Sequence, residues 1–299
     1  MNFKINPKST SRDYLKVIPV LSSTWKSLQE NLGLSGLIPE ALFSGKKDSK
    51  HILTLDNQLI LLTGLGEDPE TKTVENSFRR IISQHRKLAE KGLIIQFSDQ
   101  FSTSLIEAAL IGLQLGDYHL GFYKKEQPES LKKLKIELIF EGKGLKNAVD
   151  RAEKIAAAKM EAFRLVDLPP NKITPENLAT WAKNAGKTYG FEVKVWDVKK
   201  AKSEGLEAFL AVGRGSAKEP RFIIMEYRGP KAKSHFGLVG KGVTFDTGGL
   251  NIKTQAMHHR SRAIPRRWNC NEVKYSPSCP KLVSILLPQD FPRVSLHRR

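Results

Sequence analysis

A glycine-rich stretch in the second half of the sequence carries the residues best suited to chemistry. Residues 239–253 present two amines and one carboxylate, those of Lys241, Lys253 and Asp246, among four glycines. Glycine lets a ligand approach the backbone closely. A Walker-type phosphate loop is absent, because that motif needs Ser or Thr after its lysine and Lys241 is followed by Gly242. By residue type alone, Lys241 is interpreted as a surface lysine, Asp246 as an acid in a turn and Lys253 as a solvated charge.

The spacing of these residues is more specific than their types. Residues 239–253 have the sequence V-G-K-G-V-T-F-D-T-G-G-L-N-I-K. This resembles the first signature of the leucyl (cytosol) aminopeptidase family, V-G-K-G-[VI]-T-F-D-[ST]-G-G-x-x-x-K, and the match is near complete over the fifteen positions. Upstream, Leu168–Asn171 with Thr174-Pro175, the run 211–216 and the run 226–229 also fit that family. The likeness covers about residues 15–253.

The resemblance implies a two-metal exopeptidase that releases an N-terminal residue, often leucine, from peptides with a free N-terminus. Two divalent metal ions, manganese or zinc, share the family's site and lower the pKa of a nucleophilic water. The position matching Lys241 binds a metal through a neutral amine, and the position matching Asp246 bridges both metals through its carboxylate. Lys253 matches a catalytic lysine that stabilises the oxyanion and does not bind metal.

The rest of that family's site does not occur in these 299 residues. The motif N-T-D-A-E-G-R, which supplies further ligands and an arginine that positions bicarbonate, is missing, and so is the M-K-x-D-M stretch. A substitute metal site from His258, His259, Cys270 and Cys279 is disfavoured, because their spacing is not that of a structural zinc site. We therefore predict a truncated or frameshifted chain that has lost activity.

The elements that must position the signature alternate between strands and helices, which predicts an α/β fold. Asp56-Asn57 is expected to turn a hairpin. The predicted strands are 17–21, 51–55, 59–66, 93–97, 135–140, 191–196, 209–212, 222–227 and 236–239. The predicted helices are 74–90, 102–118, 145–166, 175–189 and 198–205.

Four segments follow from this pattern and from the resemblance. We predict an N-terminal α/β, macro-domain-like domain over residues 1–144 and a connecting helix and linker over 145–168. The first part of the catalytic peptidase domain spans 169–253, and an unstructured, aberrant basic tail spans 254–299. A largely parallel sheet covered on both faces is expected for the catalytic domain, and an incomplete one leaves an unpaired edge. The resemblance implies a homo-hexamer formed through the catalytic domain. Because only the first part of that domain is predicted here, formation of the hexamer is disfavoured.

Composition and net charge limit the class of protein to which the chain can belong. The chain is 40% hydrophobic and 27% charged, which is typical of soluble globular proteins. It shows no apolar run long enough for a membrane and no secretory signal, and it has only two cysteines, so we predict a cytoplasmic protein. The net charge is +18, of which residues 254–299 contribute +7, from nine Lys and Arg against two acids. This charge leaves a second hypothesis open, a non-catalytic protein that binds nucleic acid through a basic surface.

Overall fold

A computed structural model describes residues 1–6, 11–119, 130–229 and 237–245. The chain divides into two compact units, residues 1–164 and 165–299. Both units combine strands with helices, which confirms the predicted α/β class. None of the helices described in these ranges is long and apolar enough to cross a membrane.

A six-stranded sheet forms the centre of the first unit. Its strands are β1 (Asn2–Ile5), β2 (Leu15–Leu21), β3 (Lys50–Leu55), β4 (Gln58–Gly66), β5 (Leu93–Gln96) and β6 (Lys135–Ile139). They lie in the order β1-β6-β5-β2-β4-β3, and all neighbours are parallel except β3 and β4. Asp56 and Asn57 turn that antiparallel hairpin with φ values of 48° and 61°, as a tight hairpin turn requires. The predicted hairpin is therefore confirmed.

Apolar side chains are buried on both faces of this sheet. The helices of the unit are α1 (Trp25–Asn31), α2 (Thr71–Gln84), α3 (Arg86–Ala89), α4 (Thr103–Gly116) and α5 (Leu145–Asp167). On one face, Val17 and Leu61 pack in a cluster with residues of α2, α4 and α5. On the other face, Ile18 and Leu62 pack with Trp25 and with the segment that follows α1. Side chains alternate along a strand, so one apolar run supplies both clusters.

Two helices show how closely the first face is packed. A Cβ added at Gly112 of α4 would lie 2.2 Å from the carbonyl oxygen of Glu75 in α2, so only glycine fits this helix contact. In α5, Ala148, Ala152 and Ala156 recur every fourth residue and are buried in the same cluster. The predicted helix 145–166 is thus present as α5, and its alanines explain how it packs.

The predicted helix 74–90 is wrong in one respect, because the structure divides it. α2 ends at Gln84, His85 adopts φ −118° and ψ 29°, and α3 begins at Arg86. The change of direction at His85 still places Ala89, at the end of α3, inside the core cluster. Apolar periodicity continues across such a break, which is why the sequence predicts a single helix.

The second unit contains a two-stranded sheet between helices. Its elements are α6 (Pro175–Tyr189), β7 (Glu192–Trp196), α7 (Val198–Ser203), α8 (Glu207–Gly213) and β8 (Phe222–Glu226). β7 and β8 are antiparallel. Ile223 faces α6 and packs with Ala179 and Ala182, whereas Phe222 faces the other way and packs with Ala201 and Phe209.

Two predicted strands of this unit are wrong. Residues 209–212 lie in the helix α8, where Phe209 is buried against Phe222 at a ring-centroid distance of 5.6 Å. A short apolar run cannot distinguish a buried strand from a buried helix turn, and packing decides between them. Of the predicted strand 236–239, residues 237–239 have no regular structure and residue 236 lies outside the described residues.

Candidate active site

The start of α6 forms the first wall of the candidate site. Thr174 caps the helix, because its side-chain oxygen accepts a hydrogen bond of 3.2 Å from the Asn177 amide. Pro175 occupies the first helical turn, where its missing N–H costs nothing. Just upstream, the amide of Lys172 donates to the carbonyl of Pro169 at 2.8 Å, which closes a turn through Pro170. Local sequence therefore fixes this wall.

The loop between α8 and β8 forms the second wall. The amide of Ser216 donates to the carbonyl of Gly213 at 3.0 Å, and the Ser216 hydroxyl accepts from the amide of Lys218 at 3.2 Å. A Cβ at Gly213 would lie 2.8 Å from Pro220, so the end of α8 packs tightly against the chain that enters β8. The two hydrogen bonds stabilise the turn at residues 216–218.

The described half of the glycine-rich signature forms the third wall. Residues 237–245 have no regular secondary structure, and Lys241 within them is half-buried. The amide of Val243 donates to the carbonyl of Lys241 at 3.1 Å, which makes a tight turn centred on Gly242. Thr244 and Phe245 then reach the other two walls.

Together the three walls line an open cavity of about 270 Å³. It lies wholly within the second unit. The residues that line it are Pro170, Asn171, Thr174, Pro175, Ser216, Ala217, Lys218, Thr244 and Phe245. Proline, alanine and phenylalanine side chains give it an apolar character, while Asn171, Ser216 and Lys218 supply polar groups at its wall. Such a mixture suits a small ligand with an apolar part and a polar end.

One ion pair of the second unit is partly buried beside the sheet. Glu226, at the end of β8, is 6% exposed and accepts a hydrogen bond of 2.5 Å from the Arg228 guanidinium. This hydrogen bond and the charge of Glu226 raise the pKa of Arg228 above its ordinary value. Both residues belong to the run 226–229 on which the family resemblance partly depends.

The three predicted site residues do not all fall in the described part of the chain. Lys241 is described, and it does not line the cavity. Asp246 and Lys253 lie outside the described residues. Among the residues described, no group of three or more His, Cys, Asp or Glu side chains could hold a metal ion. The roles of Lys241, Asp246 and Lys253 therefore stay predictions.

The sequence patterns do not predict that the residues lining the cavity come together. Asn171, Thr174 and Ser216 lie in segments that fit the family pattern, but spacing along the chain does not show that they converge with Thr244 and Phe245. The available signal was turn chemistry, because Pro-Pro-Asn and Gly-Ser segments mark loops where sites are commonly built.

Comparison with known proteins supports the same resemblance. Residues 160–263 match the family described as the cytosol aminopeptidase family, catalytic domain. A probable cytosol aminopeptidase of Clostridium perfringens is 33% identical over 222 residues, which are 68% of this chain and 44% of that protein. A probable cytosol aminopeptidase of Pseudomonas fluorescens is 34% identical over 244 residues, covering 75% of this chain and 48% of that protein. The chain thus spans about half the length of these relatives.

Solved structures share the fold at lower identity. A tomato leucine aminopeptidase mutant has a TM-score of 0.71 and 21% identity, covering 95% of this chain and 61% of that one. The cytosol aminopeptidase from Coxiella burnetii has a TM-score of 0.60 and 19% identity, covering 96% and 60%. The bottromycin maturation enzyme BotP in complex with Mn has a TM-score of 0.61 and 21% identity, covering 85% and 53%.

The fold is that of an α/β protein, which these solved structures share. From the sequence matches, the chain belongs to the cytosol aminopeptidase family, which is a family of enzymes.

Proposed function

We propose that this chain carries the first part of a metal-dependent aminopeptidase that removes N-terminal residues such as leucine from peptides, and that these 299 residues alone do not catalyse the reaction. The peptidase role rests on family membership. The lack of turnover rests on the site residues that the sequence does not contain. We further propose that the protein works in the cytoplasm, in line with relatives that are named cytosol aminopeptidases.

The convergence of three segments on one cavity is the observation that supports the peptidase role. Residues 170–175, 216–218 and 244–245 line it, and each of these segments overlaps or adjoins a stretch that fits the aminopeptidase pattern. An N-terminal leucine has an apolar side chain next to a polar amine, and the lining of the cavity includes both apolar and polar side chains. The signature that contains Lys241 enters this cavity through Thr244 and Phe245.

The proposed inactivity follows from the number of groups that the reaction needs. By family resemblance, Lys241 and Asp246 are two of about five metal ligands, and Lys253 is one of two catalytic side chains. Carboxylates supply most of the charge that holds two divalent ions together. A site that retains one carboxylate and one amine is expected to bind such ions weakly and to leave any bound water without its proton shuttle.

Hydrolysis of leucine amide in the presence of Mn²⁺ or Zn²⁺ tests this proposal. We expect no release of leucine above a blank without protein. If leucine is released, Asp246→Asn and Lys253→Met distinguish the sources: turnover by this chain's own site would fall in both variants, whereas a contaminant would not respond. Light scattering on the same sample measures the assembly, and we expect a mass below that of a hexamer.

Binding of nucleic acid is the second candidate function, and the net charge of +18 is the observation that favours it. The described residues carry 34 Lys and Arg against 26 Asp and Glu, so less than half of the excess lies in them. A duplex DNA titration at several salt concentrations tests it. Affinity that falls steeply with salt is expected for a phosphate-binding surface, and absence of binding at low salt would remove this candidate.

A further inference from the structure

A polar stripe of α2 runs beside the edge strand β3 of the first unit. Ser77, Arg80 and Gln84 recur at intervals of three and four residues, so they lie on one side of the helix. Ser77 contacts the sheet, because its hydroxyl lies 3.1 Å from the hydroxyl of Thr63 in β4. Lys50 of β3 is paired with Thr63, and opposite residues of an antiparallel pair project from the same face. Lys50 therefore lies on the face of the sheet that this stripe covers.

The amine of Lys50 lies among polar and charged side chains. Its Nζ donates a hydrogen bond of 2.7 Å to the side-chain oxygen of Gln84, which is uncharged. The guanidinium of Arg80 is close enough for its charge to act on this amine, and Arg80 also forms an ion pair with Asp48. His85, the residue after Gln84, feels the charge of Lys50 in turn. The amine thus shares one nearby carboxylate with a second cation.

The turn that leads into β3 fixes the position of this group. The amide of Gly64 donates to the carbonyl of Ser49 at 2.8 Å, and the amide of Ser49 donates to the carbonyl of Lys46 at 3.0 Å. A Cβ at Gly64 would lie 2.2 Å from that Lys46 carbonyl oxygen, so only glycine permits the approach. Asp48, inside the turn, has φ 65° and bonds to Arg80. The carboxylate and the guanidinium are therefore held beside Lys50.

These surroundings make Lys50 a better nucleophile than a solvated lysine. Burial, and after it the charge of Arg80, lower the pKa of Lys50 below its ordinary value, while Asp48 acts in the opposite direction. A larger fraction of the amine is then neutral at a given pH, and only the neutral form has a lone pair for attack. The side chain is half-buried, so a small reagent can still reach it.

Arg80 supplies a binding group for an anion at the same place. Its side chain is 49% exposed, so it is accessible from solvent. One of its terminal nitrogens donates to Asp48, and a guanidinium has five N–H donors in all. Donors therefore remain for a phosphate group, which guanidinium groups bind well.

We propose that Lys50 is a site of acylation by small acyl phosphates, with Arg80 binding the phosphate group of the acyl donor. The nitrogen of the neutral Lys50 amine attacks the carbonyl carbon, and an N–C bond forms. The bond between that carbon and the phosphate oxygen breaks. The proton that the amine gives up leaves with the phosphate, so an amine and an acyl phosphate dianion become an amide and hydrogen phosphate. This modification is independent of the proposed peptidase role.

Incubation of the full 299-residue chain with acetyl phosphate tests the proposal, with acetylation rates at single lysines measured by peptide mass spectrometry. Lys26 of α1 is exposed and serves as the reference lysine. At about pH 7.5 we expect Lys50 to be acetylated at least about threefold faster than Lys26. Acetic anhydride is the uncharged comparison reagent. The ratio of the Lys50 rate to the Lys26 rate should be at least about twofold higher with acetyl phosphate, because Arg80 attracts only the anion.

Matched substitutions in α2 test the part played by Arg80. Arg80→Gln should slow acetylation of Lys50 by acetyl phosphate about threefold or more, because it removes both the phosphate-binding group and the neighbouring charge. Lys72→Gln removes an exposed charge from the same helix and should leave the rate unchanged. Arg80 and Lys72 are both exposed, so neither variant disturbs the core.

The pKa of His85 reports on the same group without any acylation. The charge of Lys50 lowers the pKa of His85, so Lys50→Gln, which carries no charge, should raise it in an NMR titration of the imidazole ring. A Lys50 rate no higher than that of Lys26, the same rate ratio with both reagents, or equal rates in Arg80→Gln and Lys72→Gln would overturn the proposal. An unchanged His85 titration in Lys50→Gln would contradict the close approach on which it depends.

Discussion

Replacement of Phe222 by alanine is the perturbation whose effect follows most directly from the packing of the second unit. Phe222 is 3% exposed, and its ring stacks on Trp196 at 5.2 Å and meets Phe209 edge-on at 5.6 Å. It holds β8 against both β7 and α8, and α8 and β8 are the elements on either side of the loop 216–218. Removal of this side chain therefore affects the sheet and one wall of the cavity.

The magnitude follows from the buried volume. Phe→Ala substitutions in protein cores lower the free energy of unfolding by about 3–5 kcal/mol. Each aromatic pair contributes about 0.5–1.5 kcal/mol to stability. A loss of about 4 kcal/mol raises the population of the open state about a thousandfold. Because whole domains are stable by only about 5–15 kcal/mol, this change is large for a small unit.

Amide hydrogen exchange of peptides from β7 and β8 measures this effect. We expect exchange that is limited by opening to accelerate about a thousandfold in Phe222→Ala. Tyr189→Ala is the matched control in the same unit, because Tyr189 is 71% exposed and should cost less than about 0.5 kcal/mol. Acceleration of less than about tenfold, or equal acceleration in both variants, would refute the packing account.

Three further predictions concern single positions. Burial of His85, and to a smaller extent the charge of Lys50, lower the pKa of His85 below its ordinary value of 6.5. The unfolded chain therefore binds a proton at His85 more readily than the folded chain does. The free energy of unfolding should fall as the pH drops below about 6.5. Urea titrations about one pH unit either side of that value should show less of this loss in His85→Gln, and an identical loss would contradict the assignment. Thr174→Ala should cost about 1 kcal/mol through the lost cap of α6, while Thr174→Ser should cost little, as denaturation midpoints will show. Gly112→Ala should cost about 1–3 kcal/mol, because its Cβ would collide with the backbone of Glu75, whereas Gly215→Ala has open space; equal midpoints would argue against the close helix contact.

The sequence predicts those elements whose signals are local. The hairpin at Asp56-Asn57 needs two residues that tolerate positive φ, and α6 begins with a threonine cap and proline and ends at Gly190 with φ 76°. These features depend on neighbouring residues alone. Long, regularly spaced apolar patterns such as that of α5 are equally informative.

Elements whose state depends on distant contacts were predicted less well. α8 is helical because Phe209 packs on Phe222 in β8, a contact that no local pattern contains. The segment 237–239 has strand composition, but composition alone cannot supply the neighbouring strand that pairing requires. The break at His85 is similar, since apolar spacing continues across it.

The candidate site divides in the same way. The family to which Lys241 and its signature belong could be recognised from consecutive residues. The cavity formed by Asn171, Ser216 and Phe245 could not, because it arises where three loops converge. Chemical type also does not give the function of Lys241, because a lysine serves equally as a surface charge or, when neutral, as a metal ligand.

A direct activity comparison tests the central claim that this chain carries aminopeptidase signature residues without turnover of its own. The purified chain and the full-length Clostridium perfringens relative are assayed at equal molar concentration on leucine amide, with Mn²⁺ and then with Zn²⁺. We expect leucine release by the relative and none above the blank by this chain. Leucine release by this chain that is lost in Asp246→Asn would contradict it.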